Sequence, residues 1–293
     1  MDRNELSALT RVFSASVIRD LGRWGQSPLL ARLLKSSGIA ASAASDAPLG
    51  KVIDQAFDVL KAFGNRDEYV YRSAITQKIL LGRHSLRTAA ILNEVRVGPS
   101  RADVVVLNGT STAYEIKSER DSLYRLASQL DNYRQVFATV NVVTSPKHAS
   151  DVLRCVTEDV GVLVLSSRYR IQTLREATDS PERTSPVAVL ELLRTPEAVT
   201  VLNALGVEVP RVPNTQMRGS LKEMFSSLDP VAVHREMVST LRQSRSQSAT
   251  EKLLSEVPKS LHAALLSAKL DQTAQSRVRE ATVVPLDVAL AWS

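Results

Sequence analysis

The stretch RADVVVLNGTSTAYEIK, residues 101–117, decides the fold of this chain. Two strand-like runs, ADVVVLN and TAYEIKS, meet at Asn108-Gly109, and an Asn-Gly pair between such runs is a strong signal for a β-hairpin. Residues two apart in a strand share a face, so Glu115 and Lys117 point together while Ile116 points towards the core. A strand with a purely structural role in the core would carry Val or Leu at these two positions. The charges of Glu115 and Lys117 therefore need another explanation.

The length of the hairpin loop decides whether Asp103 joins these two charges. A two-residue turn would align Asp103 with Tyr114, on the wrong face. A three-residue loop, or one bulge, would put Asp103 on the face of Glu115 and Lys117. Since Asn-Gly-Thr permits such a loop, the sequence allows two carboxylates and one ammonium to converge near a strand bend.

The elements around the hairpin predict an α/β fold. Helical patterns precede it, a strand-like run leads into it, and helices alternate with strands after it. The order of helix, three strands, helix, strand, helix and strand is typical of a sheet flanked by helices. The predicted elements are helices at 49–63, 67–82, 120–137 and around 149–157, and strands AILNEVRV, ADVVVLN, TAYEIKS, TVNVVTS (139–145) and VGVLVLSS (160–167).

The pattern along the chain predicts three segments. Residues 1–48 form a helical N-terminal segment that ends in a linker of small residues, and residues 49–184 hold the α/β core. Residues 185–293 read as a helical C-terminal region whose apolar faces need burial. We expect that region to position substrate, to contact a partner protein or to form a homo-oligomer.

Composition bounds the class of protein. The 293 residues are 44% hydrophobic, which is enough for a real core. A formal charge of +6 suits a polyanionic partner such as nucleic acid. Cys155 is the one cysteine, which excludes internal disulfides, and its apolar neighbours predict an inert core thiol. No run approaches the ~20 apolar residues of a membrane span, so we expect a cytoplasmic protein without membrane contact.

The cluster of Asp103, Glu115 and Lys117 has a chemical use. Carboxylate oxygens are suitable ligands for Mg²⁺. A bound metal ion activates water and neutralises charge on a scissile phosphate. A nearby ammonium stabilises negative charge in the transition state.

These residues carry a resemblance to a known group of enzymes. Asp103 with Glu115-Ile116-Lys117 resembles the signature of the PD-(D/E)XK phosphodiesterase superfamily, and Gln129-x-x-x-Tyr133 resembles the corresponding helix of RecB-like nucleases. The stretch of roughly residues 67–170 looks like the Sce-type family of bacterial predicted nucleases. Ala102 precedes Asp103, where the superfamily name has proline.

The resemblance implies an αβββαβ core with a mixed sheet, a Mg²⁺ or Mn²⁺ cofactor, and DNA as the substrate. It implies defence against foreign DNA or mobile-element biology as the setting. A further acidic ligand is common in the superfamily, and either Glu94 or Glu68 is a candidate, although Glu68 also suits the first turn of a helix. The predicted catalytic residues are Asp103, Glu115, Lys117, Gln129 and Tyr133, and the predicted metal set is Asp103, Glu115, Ile116 and Glu94.

Basic residues near the predicted strands are candidates for phosphate contacts. Asp121 and Arg125 continue the helical stripe of Gln129 and Tyr133. The segment SSRYRIQTLRE (166–176) reads as a basic edge strand or an extension of a DNA-binding face. The candidate nucleic-acid-binding residues are Arg96, Arg101, Arg125 and Lys147.

Two rival functions stay open at this stage. The first is a catalytically inactive, nuclease-like module that binds DNA or a partner protein. The second is an RNA nuclease or a nuclease toxin, which would use the same chemistry.

Overall fold

A computed structural model describes residues 2–62 and 64–293 of the chain. The described residues form two compact units. The first contains the residues up to Arg83, the segment Ser167–Tyr169 and the residues from Gln247 onward; the second contains His84–Ser166 and Arg170–Ser246. The helices are α1 Arg3–Val12, α2 Ala15–Trp24, α3 Pro28–Ser36, α4 Leu49–Lys61, α5 Glu68–Ala74, α6 Leu81–Arg83, α7 Leu126–Arg134, α8 Ala149–Cys155, α9 Pro186–Leu192, α10 Thr195–Ala204, α11 Asn214–Ser226, α12 Pro230–Ser244, α13 Glu251–Glu256, α14 His262–Ser267, α15 Gln272–Val283 and α16 Leu286–Leu290.

A mixed sheet forms the centre of the second unit. Within the described residues it has six strands, which lie side by side in chain order. The first three form an antiparallel meander, the fourth and fifth run parallel to the third, and the sixth is an antiparallel edge. This confirms the predicted α/β class with a mixed sheet flanked by helices. The strands are β1 Ala90–Val97, β2 Ser100–Leu107, β3 Ser111–Lys117, β4 Thr139–Thr144, β5 Gly161–Leu165 and β6 Ile171–Arg175.

The core of the second unit contains residues of the sheet, of α7 and of the helices α9 to α12. Sheet residues such as Val105 and Val140, Leu130 of α7, and Phe225 and Met237 of the later helices belong to one buried cluster. Burial of such side chains contributes about 1.5–3 kcal/mol each. The apolar faces of α9 to α12, for which the sequence alone gave no partner, are therefore buried in this core.

The contacts group the chain differently from the three segments predicted from sequence. Residues 185–246 share the core of the sheet, whereas residues 49–83 belong with the first unit. Residues from 247 onward also join the first unit, where α15 packs against α2 and α4. Part of the predicted linker forms a 3₁₀ turn at Ile39–Ser42. Helical periodicity predicts that a face will be buried but does not say against which neighbour.

An aromatic cluster lies in the core of the first unit. The Phe13 and Tyr69 rings stack at 4.7 Å, and Phe57 meets Tyr169 edge to face at 5.9 Å. The Tyr69 hydroxyl donates to the main-chain oxygen of Ser260 at 2.5 Å. Burial raises the pKa of Tyr69 far above its usual value, so this hydroxyl stays neutral.

Two local predictions are wrong. The helix predicted for 120–137 begins only at Leu126, because the Asp121 carboxylate accepts hydrogen bonds from the main-chain N–H and the hydroxyl of Ser118 at 2.7 and 2.6 Å. This pairing holds the chain in a turn after β3. Cys155 is exposed rather than buried, since it is the last residue of α8 and faces solvent.

A buried histidine ties α12 to the start of β3. The Ser111 hydroxyl accepts a hydrogen bond from the Ala138 N–H at 3.1 Å and shares a second hydrogen bond with His234 Nε2 at 2.8 Å. Burial lowers the pKa of His234, although the charge of Asp179 opposes the shift.

We predict that acid weakens the fold through His234. Below the ordinary histidine pKa of about 6.5 the unfolded chain takes up a proton that the folded imidazole refuses, so stability falls by up to about 1.4 kcal/mol per pH unit. His234→Gln keeps a hydrogen-bonding group for Ser111 but cannot titrate. Urea unfolding measured at pH 5 and pH 7.5 should show a smaller loss in this variant; an equal loss would contradict the prediction.

Candidate active site

The loop of the β2–β3 hairpin has three residues. Leu107 pairs with Ser111, which leaves 108–110 as the loop. The register continues through Val104 opposite Tyr114, so the next position along the pair sets Asp103 opposite Glu115. The longer of the two loops allowed by the sequence is thereby confirmed, and Asp103 shares its face with Glu115.

Asp103 lies where β2 and β3 separate. The paired residues end at Val104 and Tyr114, and one step further the Asp103 Oδ2 atom accepts a hydrogen bond from the Ile116 N–H at 2.7 Å. A side chain thus replaces the carbonyl that the main chain would otherwise supply. The carboxylate of Asp103 is held, half-buried, at the mouth of the strand pair.

Glu115 and Lys117 form a buried ion pair on β3. Lys117 Nζ donates to Glu115 Oε1 at 2.7 Å, and the two side chains are 10% and 3% exposed. Lys117 Nζ also donates to Gln129 Oε1 at 3.0 Å. A buried ion pair offsets its desolvation only when further hydrogen bonds complete it. The amide of Gln129 supplies such a bond.

Tyr133 completes the environment of Glu115. Its hydroxyl oxygen lies 2.7 Å from Glu115 Oε2 and 2.6 Å from the main-chain oxygen of Arg101. Both neighbours are acceptors, so they compete for one hydroxyl proton. Burial, with the charge of Glu115 adding to it, raises the pKa of Tyr133 far above its usual value. The Tyr133 hydroxyl is therefore a neutral donor.

Helix α7 brings Gln129 and Tyr133 to the strand because they are four residues apart and share a helix face. Leu126 and Leu130 bury the same helix against the sheet. The structure therefore brings together four of the five predicted catalytic residues, Glu115, Lys117, Gln129 and Tyr133, and sets Asp103 on the adjacent strand.

Glu94 lies beside Asp103. The β1–β2 pairs jump from Asn93–Val104 to Val95–Ala102, and between them Glu94 adopts a left-handed backbone with φ of 54°. Non-glycine residues seldom adopt this conformation. A carboxylate oxygen of Glu94 lies within 4.8 Å of one of Asp103, and Glu94 Oε2 is 3.6 Å from Arg101 Nη1.

Glu68, the other acidic candidate, belongs to the first unit. It is the first residue of α5, where the N-terminal end of the helix favours a negative charge. Its carboxylate also pairs with Arg72, one helical turn later.

The donors of the predicted metal set are all oxygens, which suits a hard cation such as Mg²⁺ or Mn²⁺. Asp103 and Glu94 already approach each other. Glu115 accepts from Lys117 on one oxygen and from Tyr133 on the other, so a cation bound by Glu115 would share an oxygen with one of these donors. Ile116 offers its main-chain carbonyl, while its N–H serves Asp103.

All four basic candidates are exposed, and two of them lie opposite each other on neighbouring strands. Arg96 and Arg101 are direct cross-strand partners on β1 and β2. Lys117 pairs with Thr144 on β4, so Lys147 follows three residues beyond the same sheet edge. Arg125 is the residue before α7. Asp121 does not continue the helical stripe, because it belongs to the turn with Ser118.

The fold and its site define an α/β protein whose mixed sheet carries a buried Glu–Lys pair beside two approaching carboxylates. Residues 61–279 match the model of a protein family described as bacteriophage P4 protein cII. This match spans well over half of the chain, and the chain belongs to that family.

Two known proteins resemble parts of the chain. Protein cII of Enterobacteria phage P4 is 43% identical over 84 residues, which are 28% of this chain and 32% of that protein. The chain thus matches about a third of the length of that relative. A protein of unknown function from Silicibacter pomeroyi is 19% identical over 42% of this chain and 84% of its own, with a TM-score of 0.29, too low to establish a common fold.

In the part of the chain that the structure describes, no helix is both long and apolar enough to cross a bilayer.

We predict strong coupling between Glu115 and Lys117. Removing one partner of a buried pair typically costs roughly 3–5 kcal/mol, because the other charge stays buried without compensation. Lys117→Met should therefore lower the free energy of unfolding by about this amount. The double variant with Glu115→Gln should recover much of the loss, and urea unfolding of the four proteins of the cycle measures the coupling. Additive losses would show that the two side chains do not stabilise each other.

Proposed function

We propose that this protein is a metal-dependent nuclease that hydrolyses the phosphodiester backbone of DNA. The observation that carries the proposal is the buried Lys117–Glu115 pair, held by Gln129 and Tyr133 next to Asp103 at the point where two strands separate. Burying an ammonium at a strand end brings the fold little stability. Such an arrangement suits a site in which a fixed positive charge acts on a substrate.

Asp103 and Glu94 are the residues that would hold the cation. Their carboxylate oxygens approach each other within 4.8 Å, and oxygen donors match the preference of Mg²⁺ and Mn²⁺. When bound, such an ion activates water and neutralises charge on the phosphate. The Ile116 N–H orients Asp103, and the left-handed turn at Glu94 sets the second carboxylate at its side.

Lys117 has a different role from the acidic residues. Its ammonium cannot ligate a cation, but it can donate to a phosphate oxygen as negative charge develops there. Gln129 and Glu115 fix its position, so the charge is preorganised, which is what makes such donors effective. The neutral hydroxyl of Tyr133 holds Glu115 from the opposite side.

The Arg96–Arg101 pair favours a polyanionic substrate. Like charges directly opposite each other on neighbouring strands repel, and pairs of this kind change stability by about 0.2–1 kcal/mol. A phosphate backbone lying across both guanidinium groups would remove that repulsion. Arg101 also links this pair to the site, because its main-chain oxygen meets the Tyr133 hydroxyl.

A relative encoded by a phage supports a setting in mobile-element biology or in defence against foreign DNA. The matched stretch is about a third of that relative, and family membership alone assigns no chemistry. The rival proposal is a module that binds nucleic acid without cutting it.

We predict that cleavage requires Asp103. Purified protein with Mn²⁺ should cut plasmid or linear DNA. Asp103→Asn keeps an acceptor for the Ile116 N–H but removes the charge, so cleavage should stop and Mn²⁺ affinity by calorimetry should fall. Asp131→Asn, a matched change of an exposed aspartate on α7, should alter neither.

Three outcomes separate the competing functions. Binding of DNA without cleavage at any metal concentration would favour the inactive module. Cleavage of RNA alone would make the protein a ribonuclease. Normal Mn²⁺ affinity in both Asp103→Asn and Glu94→Gln would remove these carboxylates from the metal site.

We also predict that Arg96 and Arg101 contact phosphates. The logarithm of the affinity for duplex DNA falls linearly with the logarithm of the salt concentration, and each phosphate contact adds about 0.9 to the steepness of this line. The double variant Arg96→Ala with Arg101→Ala should therefore reduce the slope by roughly 1.8. The free energy of unfolding should change by less than about 1 kcal/mol, because the variant loses the cross-strand repulsion together with the exposed Arg101–Glu94 ion pair. Arg235→Ala, an exposed arginine of α12, is the matched control; an equal effect there would mean general charge loss rather than a specific contact.

A further inference from the structure

Tyr124 is the most exposed of the large hydrophobic side chains in the described residues. Its exposed fraction is 93%, whereas the next values are 67% for Val283 and 62% for Trp24. Tyrosine carries a large apolar ring that is normally at least half covered. A fully displayed ring therefore calls for a reason.

The segment that carries Tyr124 is anchored on both sides. At its start, Asp121 accepts two hydrogen bonds from Ser118. At its end, Leu123 packs against the core of the second unit, and its main-chain oxygen accepts from the Leu126 N–H at 3.0 Å. The chain around Tyr124 is thus held in place, and the ring is presented to solvent by a defined turn.

The position of this segment relates it to the candidate site. It begins at the residue after Lys117, the proposed catalytic ammonium, and ends at α7, which carries Gln129 and Tyr133. Exposed Arg120 and Arg125 lie on either side of Tyr124 in the chain. An aromatic face with guanidinium groups around it is the combination that binds single-stranded nucleic acid, since bases stack on the ring while arginine contacts phosphates.

We propose that Tyr124 is a stacking platform for an unpaired base of the nucleic acid on which the site acts. The proposal rests on the function proposed above and names its substrate more closely: a single-stranded region or an opened end. A blunt duplex offers no such partner away from its ends, because its base faces are covered by their neighbours. A protein partner would need an apolar patch, whereas Leu123 beside Tyr124 packs against the core and the other flanking residues, Ser122 and Arg125, are polar or charged.

The test uses the full chain and measures binding without divalent cations, so that cleavage does not interfere. The probes are a labelled oligothymidylate and a blunt duplex of the same length, followed by fluorescence anisotropy. Tyr124→Ala should weaken oligothymidylate binding about tenfold, the usual effect of losing one stacked base, and leave duplex binding unchanged. Tyr124→Phe should bind like the natural protein, since stacking does not need the hydroxyl.

Trp24→Ala provides the matched control. Trp24 is another displayed aromatic with an arginine beside it, since the Arg23 guanidinium lies 4.6 Å from the ring centroid. This variant should leave both affinities unchanged. A loss in Tyr124→Ala that is equal for single strand and duplex, a loss in Tyr124→Phe, or no loss in either would overturn the proposal.

Different measurements test the stacking role of Tyr124 and the proposed nuclease function. If the natural protein cuts DNA while Tyr124→Ala binds oligothymidylate normally, the stacking role is overturned and the nuclease stands. If Tyr124-dependent binding is found but Mn²⁺ elicits no cleavage, the stacking role is supported and the nuclease falls. Because the Tyr124 ring is 93% exposed, the natural protein, Tyr124→Ala and Tyr124→Phe should have equal melting temperatures, which would show that folding is not involved.

Discussion

The ion pair between Glu115 and Lys117 is the constraint around which the second unit is arranged. Two charges that are almost fully buried need hydrogen-bonding partners at fixed distances, because each uncompensated polar atom in such a place costs several kcal/mol. Those partners come from α7. The position of this helix along the sheet is fixed, because Gln129 must reach Lys117 and Tyr133 must reach Glu115. The same hydrogen bonds therefore fix both the position of the helix and the geometry of the site.

The helices α9 to α12 are part of the same unit. Their apolar side chains share one buried cluster with α7 and the sheet, so they help to hold α7 against the strands. The buried Ser111–His234 hydrogen bond fastens the longest of these helices to the first residue of the strand that carries Glu115. A region without any recognisable motif thus supports the site through packing.

Irregular backbone coincides with the acidic residues. The β2–β3 pairing stops at Val104, with Asp103 next to it, and β1 takes a left-handed step at Glu94 on the opposite side. In a regular strand, successive side chains point to alternate faces of the sheet. Where the pairing is interrupted, main-chain groups lose their partners on the neighbouring strand and the carboxylates can point in other directions. A non-glycine residue held in a left-handed conformation, as Glu94 is, is typical of positions with a functional role.

The sequence by itself determined the local structure and the candidate residues. Alternation, the Asn-Gly pair and helix-spaced apolar residues predicted the order of strands and helices, because these signals act over a few residues. The spacing of Glu115 and Lys117, and of Gln129 and Tyr133, predicted which side chains share a face, but left the register of Asp103 open between two loop lengths. Only the tertiary structure decided that register, the burial of the ion pair, the late start of α7 and the division into two units. Each of these depends on contacts between residues far apart in the chain, such as Ser111 with His234, whose free energies no local pattern records.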